Sequence, residues 1–166
     1  MNVKTILLAS ATGLLTATGA LAQDIRPTGK SIMSENPFLT EYTTPFQVPP
    51  FDKIRMEHFK PAMLEGVKQH EKEISAIVNN KQKPTFANTI LAMEEAGKLM
   101  SKVNTVLYNL NSANTNEEIQ ALAKEMAPVL SAHRDNINLN DKLFQRVKTV
   151  WENRTKEKLT GEDLRL

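Results

Sequence analysis

The sequence of 166 residues contains no cysteine, and only 5% of its residues are aromatic. The absence of cysteine excludes disulfides, thiolate zinc sites, iron–sulfur clusters and a cysteine nucleophile. So few aromatic rings do not favour a surface that stacks bases, and a net charge of +2 is too small to indicate a nucleic-acid partner. With 40% hydrophobic and 24% charged residues, the composition is typical of a globular protein.

Motifs that carry catalytic chemistry are also missing. The sequence has no G-x-S-x-G frame around a serine and no glycine-rich phosphate loop. The glutamate pairs fit solvated helix faces, and none lies in the apolar surroundings that acid–base catalysis requires. These pairs are Glu71 with Glu73, Glu94 with Glu95, and Glu117 with Glu118.

The three histidines do not form a zinc motif. A zinc helix of the H-E-x-x-H type needs two imidazoles at positions i and i+4, whereas His70 is followed at that distance by Ile74. His70 and His133 both lie on apolar stripes, which is typical of packed, hydrogen-bonded core histidines. We expect His58 to cap or pack at the beginning of a helix. The residues alone therefore predict no catalytic, cofactor-binding or metal-binding position.

Residues 1–22 are typical of a cleavable signal peptide. Lys4 is the only charged residue before Asp24, and an apolar run ends in Ala20-Leu21-Ala22, the A-x-A pattern that signal peptidase cuts. The alternative is a membrane anchor, but the run is diluted by glycines and threonines and is short for a membrane span. We predict cleavage after Ala22, a periplasmic or secreted location, and no membrane contact after cleavage.

Residues 23–54 are predicted to form an extended arm. Five of the eight prolines lie between Pro27 and Pro50, and each residue before a proline avoids the helical region. The segment 36–51 should lie over a helical body, because it carries many large apolar side chains. These are Phe38, Leu39, Tyr42, Phe46 and Phe51.

From Met56 onward, apolar residues recur at spacings of three and four, which predicts amphipathic helices. We expect an all-α fold, an antiparallel bundle or stack of helices, over residues 55–166. The four predicted stripes are Met56, Phe59, Met63, Val67, His70, Ile74 and Ile77; Phe86, Ile90, Met93, Gly97, Met100, Val103, Leu107 and Leu110; Ile119, Leu122, Met126, Leu130, His133 and Ile137; and Leu143, Val147, Val150 and Trp151.

The predicted helix starts carry capping residues. Thr85 and Asn140 should be N-caps, and Thr115 with Glu118 should form a capping box. A fifth helix is expected to begin near residues 160–163, so that the helical domain is predicted to be truncated at residue 166.

Two residues interrupt the predicted stripes. Gly97 costs about 1 kcal/mol relative to alanine inside a helix, which close approach of another helix would explain. Pro128 should bend the third helix near residues 124–127, because it removes a hydrogen bond.

Several short phrases occur in order along the chain. They are Asn36-Pro37-Phe38-Leu39; Pro49-Pro50-Phe51-Asp52-Lys53-Ile54; Glu57-His58-Phe59-Lys60-Pro61-Ala62; Pro84-Thr85-Phe86-x-Asn88-Thr89-Ile90; Asn109-Leu110 with Thr115-Asn116-Glu117-Glu118; and Ile137-x-Leu139-Asn140-x-Lys142-Leu143-Phe144-x-Arg146-Val147-Lys148. Together these phrases resemble the N-terminal region of thimet-oligopeptidase-type zinc peptidases, and most of all the bacterial peptidyl-dipeptidases (dipeptidyl carboxypeptidases). One position departs from the pattern: Ala87 stands where an acidic residue is expected, which affects a helix cap.

The resemblance implies a non-catalytic helical lobe of a larger peptidase. In that family, zinc is held by an H-E-x-x-H helix and a later glutamate, far beyond the matched region, so no site residue can be carried over to this sequence. In the same family, helices of this kind form the wall of a channel that admits short peptides. The implied partners are these peptides and a C-terminal catalytic lobe. The alternative, which the residues leave open, is a complete small exported binding or scaffold module without activity.

Overall fold

The computed structural model describes residues 35–157 and 159–165. The predicted signal peptide and the beginning of the predicted arm lie outside the described residues. Within the described ranges the fold is all-α and contains no strand, as the apolar spacing predicts. None of the helices in this part of the chain combines the length and the hydropathy that crossing a membrane requires.

Five α-helices form the body. They are α1 (Met56–Val78), α2 (Ala92–Glu95), α3 (Lys98–Ala113), α4 (Glu117–Asn138) and α5 (Asp141–Asn153). A π-helical segment, Phe86–Leu91, leads into α2, and short 3₁₀ turns lie at Pro37–Leu39, Pro45–Gln47, Arg154–Lys156 and Asp163–Arg165. The expected start of a fifth long helix is thus a 3₁₀ turn, in which Thr160 N donates to Asp163 Oδ2 over 2.8 Å.

Helix α1 lies at the centre and packs against α3, α4 and α5. Its apolar face enters the main core, which is closed by residues from α3 and α4. Gly66 allows the closest approach, because a Cβ atom there would lie 2.9 Å from the backbone Cα of Met100 on α3. The buried members of the main core are Phe38, Phe59, Ala62, Met63, Val103, Val106, Leu107, Ile119 and Met126.

The first part of the arm packs on this body, as predicted. Phe38 is buried against Phe59, with ring centroids 4.9 Å apart. Asn36 is buried and donates from Nδ2 to the carbonyl of His58 over 2.8 Å. Lys102 on α3 donates to the carbonyl oxygens of Phe38 and Thr40 over 3.0 and 2.7 Å. Because these bonds satisfy backbone groups of an irregular segment, they hold the arm in place.

The second part of the arm packs less closely. Phe46 is 100% exposed, so the prediction that it lies over the helical body is wrong. Phe51 is 52% exposed and lines a groove with Met56 and Leu110 of the body. Hydrogen bonds close a tight turn at residues 44–48.

The second predicted helix is broken at Gly97. Ala96 is extended, with φ −77° and ψ 153°, and Gly97 adopts a left-handed conformation with φ 73°. The predicted close approach is confirmed, because a Cβ atom on Gly97 would lie 2.8 Å from His70 Nδ1. The glycine thus serves both a turn and a contact, and the stripe from Phe86 to Leu110 belongs to two helices.

The caps follow the predictions at two of three sites. The side chains of Thr85 and Asn140 accept from the backbone N–H groups of Asn88 and Leu143. The third cap is Asn116, which accepts from Ile119 N over 2.8 Å, so the predicted capping box of Thr115 with Glu118 is wrong. Asparagine and threonine are both good caps, and neighbouring positions compete for the same N–H group.

Two further expectations concern α4 and α5. The α4 helix continues through Pro128 to Asn138. Trp151 was expected to face inward, but it is 63% exposed, with the Arg154 guanidinium 3.9 Å from its ring centroid. The inward position predicted for Val150 is confirmed, because this residue is buried.

Candidate functional site

The most distinctive polar feature of the body is a histidine pair that joins α1 to α4. Nε2 of His133 and Nδ1 of His70 lie 3.0 Å apart, and one of the two nitrogens donates to the other. The rings meet edge to face, with centroids 4.9 Å apart. Both histidines lie on the predicted apolar stripes, and the stripe geometry turns them toward each other across the helix interface.

The surroundings of the pair favour the neutral form of His70. Burial lowers the pKa of His70, and the nearby His133 lowers it further, whereas Glu73 has an opposing effect. Glu73 itself accepts from the backbone N–H of Gly97 over 2.7 Å. Glu71 Oε1 lies 3.7 Å from His133 Nδ1, which is beyond hydrogen-bond distance. Neither Glu71 nor Glu73 is hydrogen-bonded to an imidazole in the described residues. The pair therefore lacks the third group that orients the base in a catalytic triad.

A pocket of about 520 Å³ opens beside the pair. Its walls combine apolar side chains with a few polar groups, which is typical of small-ligand pockets. Arg134 at its edge has no salt-bridge partner within the described ranges. The lining residues are His70, Met100, Asn104, Tyr108, Leu130, His133, Arg134, Ile137 and Asn138.

The arrangement has two imidazoles but lacks a third metal ligand. No group of three or more His, Cys, Asp or Glu residues in the described part of the chain could hold a metal ion. Ile74, which occupies the position of the second ligand in a zinc helix, is buried in a separate apolar cluster with Ile77 and Leu143. The pair therefore acts as a hydrogen-bonded link between α1 and α4. The expected absence of catalytic, cofactor-binding and metal-binding residues stays a prediction.

The third histidine lies away from this pair and has a structural role. His58 is buried near the beginning of α1, where its Nδ1 accepts from the backbone N–H of Arg55 over 3.1 Å. It both caps and packs, as expected from its position before Phe59.

A second polar cluster, centred on Arg146, was not predicted as a structural site. Arg146 on α5 is buried and donates to the carbonyl of Asn80 over 3.0 Å and to Asn88 Oδ1 over 3.0 Å. The guanidinium is a fork of donors that can hold several acceptors at once. It ties α5 to the connection between α1 and the π-helical segment.

Sequence reasoning missed both long-range contacts. His70 and His133 are 63 positions apart, and Arg146 lies 66 positions from Asn80. The available signal for the pair was two histidines on apolar stripes, since buried polar groups seek hydrogen-bond partners. For Arg146, the signal was a charged residue between Leu143 and Val150 on an inward face.

The comparison with curated proteins identifies peptidase homologues. The chain is 44% identical over 134 residues to a dipeptidyl carboxypeptidase of Salmonella typhimurium, covering 81% of this chain and 20% of that protein. It is 42% identical over 131 residues to the dipeptidyl carboxypeptidase of Escherichia coli, covering 79% of this chain and 19% of that protein. Oligopeptidase A of Escherichia coli is a more distant relative, 24% identical over 110 residues, or 66% of this chain and 16% of that protein.

These similarities confirm the resemblance that the sequence phrases indicate. No family model matches the chain. The chain spans about a fifth of the length of the dipeptidyl carboxypeptidases that it matches. The homology therefore concerns one segment of those much longer proteins.

Proposed function

From its homology to dipeptidyl carboxypeptidases, we propose that this chain is a non-catalytic helical part of a zinc-dependent peptidase that hydrolyses short peptides. The observation that carries the proposal is 44% identity over 134 residues to such an enzyme. At this identity, two sequences share their fold, and the packed α1–α3–α4 core gives the segment a rigid body. In the proposed role, this body is part of the wall of a channel that admits short peptides.

The chemistry would be supplied outside this segment. There, a zinc ion held by an H-E-x-x-H helix would supply an activated water for hydrolysis of the peptide bond. The described residues offer the His70–His133 pair, whose facing nitrogens are occupied by each other over 3.0 Å. The proposal therefore assigns positioning to this chain and catalysis to a separate lobe.

The first test measures zinc and activity in the purified chain. We expect no stoichiometric zinc by elemental analysis and no cleavage of a blocked peptide, whereas the Salmonella typhimurium enzyme is the positive control in the same assay. A chelator-sensitive activity that is lost in both His70→Ala and His133→Ala would instead make the histidine pair a catalytic site and would contradict the proposal.

The second test is an exchange of homologous segments. The matching segment of the Salmonella typhimurium enzyme is replaced with the homologous part of this chain, and release of dipeptides from a peptide substrate is measured. We expect the chimera to be active. A matched chimera with Met63→Asp should be inactive, because Met63 is 0% exposed and a buried unpaired charge disrupts the core. An unsubstituted chimera that fails to hydrolyse the peptide would contradict the proposed role.

Export is the remaining part of the proposal. It is supported by the sequence Ala20-Leu21-Ala22 after an apolar run. In an exporting bacterium, the periplasmic product should begin at Gln23 by intact mass, and Ala22→Arg should block this cleavage. A soluble cytoplasmic product that retains residues 1–22 would contradict export.

A further inference from the structure

The arm carries a strained turn that displays an aromatic ring to solvent. The aromatic turn, defined here as residues 44–48, places Phe46 at 100% exposure. Phe46 and Gln47 both have φ 56°, in the left-handed region. Bonds from Gln47 N to the Thr44 carbonyl (3.0 Å) and from Val48 N to the Pro45 carbonyl (3.3 Å) close the turn. The Thr44 hydroxyl also donates to the Val48 carbonyl.

This combination calls for a compensating contact. Single exposed apolar residues are ordinary on protein surfaces. Two consecutive residues other than glycine in the left-handed region are unusual. Each such conformation raises the free energy of the folded state, and favourable contacts must offset this cost. Within the described part of the chain, Phe46 gains no burial in return. Hydrogen bonds close the turn around the ring, and preorganised aromatic side chains are typical anchors of protein interfaces.

The apolar exposure continues along the arm. Val48 is 48% exposed and Phe51 is 52% exposed. Phe51 also lines a groove of about 560 Å³ in which Met56 and Leu110 are apolar neighbours. In contrast, Phe38 in the first part of the same arm is only 1% exposed. The arm therefore has a docked part and an undocked part, and the undocked part is the one with the strained backbone.

The length of the homologues indicates the occupant. The dipeptidyl carboxypeptidases are about four times as long as this chain, since the 134 matched residues cover 20% of one of them. A second copy of the chain is the competing occupant, and the concentration dependence of labelling described below tests it. We propose that the aromatic turn is a docking element that inserts Phe46 into an apolar pocket of the remaining part of the longer peptidase. This inference rests on the function proposed above.

The absence of cysteine allows a direct test by thiol labelling. Gln47→Cys places a thiol beside the anchor while Phe46 is retained, and Lys81→Cys, in an exposed loop, is the matched control. In the isolated chain, both thiols should react with a maleimide at similar rates. In the active chimera described above, labelling at position 47 should slow by about tenfold or more relative to position 81, since an interface closed most of the time protects its residues.

A second substitution separates docking from other causes of protection. Phe46→Ser should leave the urea midpoint of the isolated chain unchanged, because the ring contacts solvent there. In the chimera, Phe46→Ser should restore rapid labelling of Gln47→Cys and lower the melting temperature. Rapid labelling of Gln47→Cys in an active chimera that retains Phe46 would overturn the docking proposal and leave the proposed function intact.

Two other outcomes also decide the matter. If labelling at position 47 in the isolated chain slows as its concentration rises, the occupant is a second copy and the proposal is wrong. If the unsubstituted chimera is inactive, the proposed function fails, and the docking proposal fails with it because its partner is no longer supported.

Discussion

Replacing Gly97 with alanine tests the α1–α3 junction more sharply than any other single change. Gly97 has φ 73°, and a Cβ atom there would lie 2.8 Å from His70 Nδ1 and 3.0 Å from His70 Cε1. The imidazole cannot move away without cost, because the same Nδ1 atom is hydrogen-bonded to His133 over 3.0 Å. Alanine therefore meets both a backbone penalty and a steric one.

The two penalties can be added to an order of magnitude. The left-handed conformation costs a residue with a Cβ atom about 1–2 kcal/mol. Overpacking at a close contact costs about 1–3 kcal/mol more. The sum of about 2–5 kcal/mol is a large share of the 5–15 kcal/mol by which a typical domain is stable, as a rough guide. With a urea dependence of about 2 kcal/mol per molar, the unfolding midpoint should fall by about 1–2.5 M.

Urea unfolding followed by circular dichroism measures this change in the free energy of unfolding. Gly161→Ala is the matched control, because a Cβ atom there would meet nothing within 4 Å. We expect its free energy of unfolding to change by less than about 0.5 kcal/mol, as for most surface substitutions. In a chain that already carries His70→Ala, the steric penalty should be absent. There, Gly97→Ala should lower the free energy of unfolding by only about 1–2 kcal/mol, the cost of the backbone conformation.

The reasoning fails if Gly97→Ala is no more destabilising than Gly161→Ala. It also fails in part if Gly97→Ala lowers the free energy of unfolding by the same amount in chains with His70 and with His70→Ala. That result would show that the backbone conformation alone requires glycine and that the contact with α1 has no energetic weight.

Three further predictions concern the polar contacts. Burial and His133 lower the pKa of His70 below 6.5. The stability that depends on neutral His70 is therefore fully present above pH 6.5 and is lost as the pH falls from this value through the lower folded-state pKa. The urea midpoint of His70→Gln should change less over this pH range than that of the unsubstituted chain. Arg146→Met should cost about 2–4 kcal/mol of unfolding free energy, since it leaves buried acceptors unpaired, whereas the exposed Arg134→Met should cost less than about 0.5 kcal/mol in the same titration. Asn116→Ala should raise the unfolded fraction in a thermal melt by costing about 1 kcal/mol, whereas a comparable loss for Thr115→Ala would contradict the assigned cap.

The helices were the predictable part of the fold, because their signals are local. The three- and four-residue spacing from Met56 predicts α1, and the side chains of Thr85 and Asn140 cap the helices that they precede. A cap and an amphipathic stripe need only residues within one or two turns, so a sequence window contains the whole signal.

The errors arise where the choice depends on distant residues. Val150 and Trp151 are neighbours on α5, and both fit the edge of its apolar stripe. The packing of α5 against the π-helical segment, which carries Phe86 and Ile90, leaves Val150 with 3% exposure and Trp151 outside. Likewise, a stripe that continues across Gly97 does not reveal a left-handed residue that ends one helix and begins the next. Tertiary packing decides both cases, and no local pattern contains it.

The candidate site shows the same limit in a different form. The sequence predicts that His70 and His133 are packed core groups, but the 3.0 Å bond between them follows from how α1 crosses α4. Periodicity places a residue on a face, and it does not say which residue of another helix lies opposite. The pair, and the pocket beside it, are therefore properties of the assembled body.

The buried polar contacts explain how a segment without assigned catalytic groups can serve a precise position. Apolar contacts between helices are not directional, so they permit small sliding and rotation. Three boundaries of this body also carry a directional bond: Lys102 joins the arm to α3, the His70–His133 pair joins α1 to α4, and Arg146 joins α5 to the preceding connection. Hydrogen bonds are directional, so these contacts favour one register of the packed elements. A wall with its helices held in one register would keep the shape of an adjoining peptide channel constant, and this is the contribution that the proposed function requires from the chain.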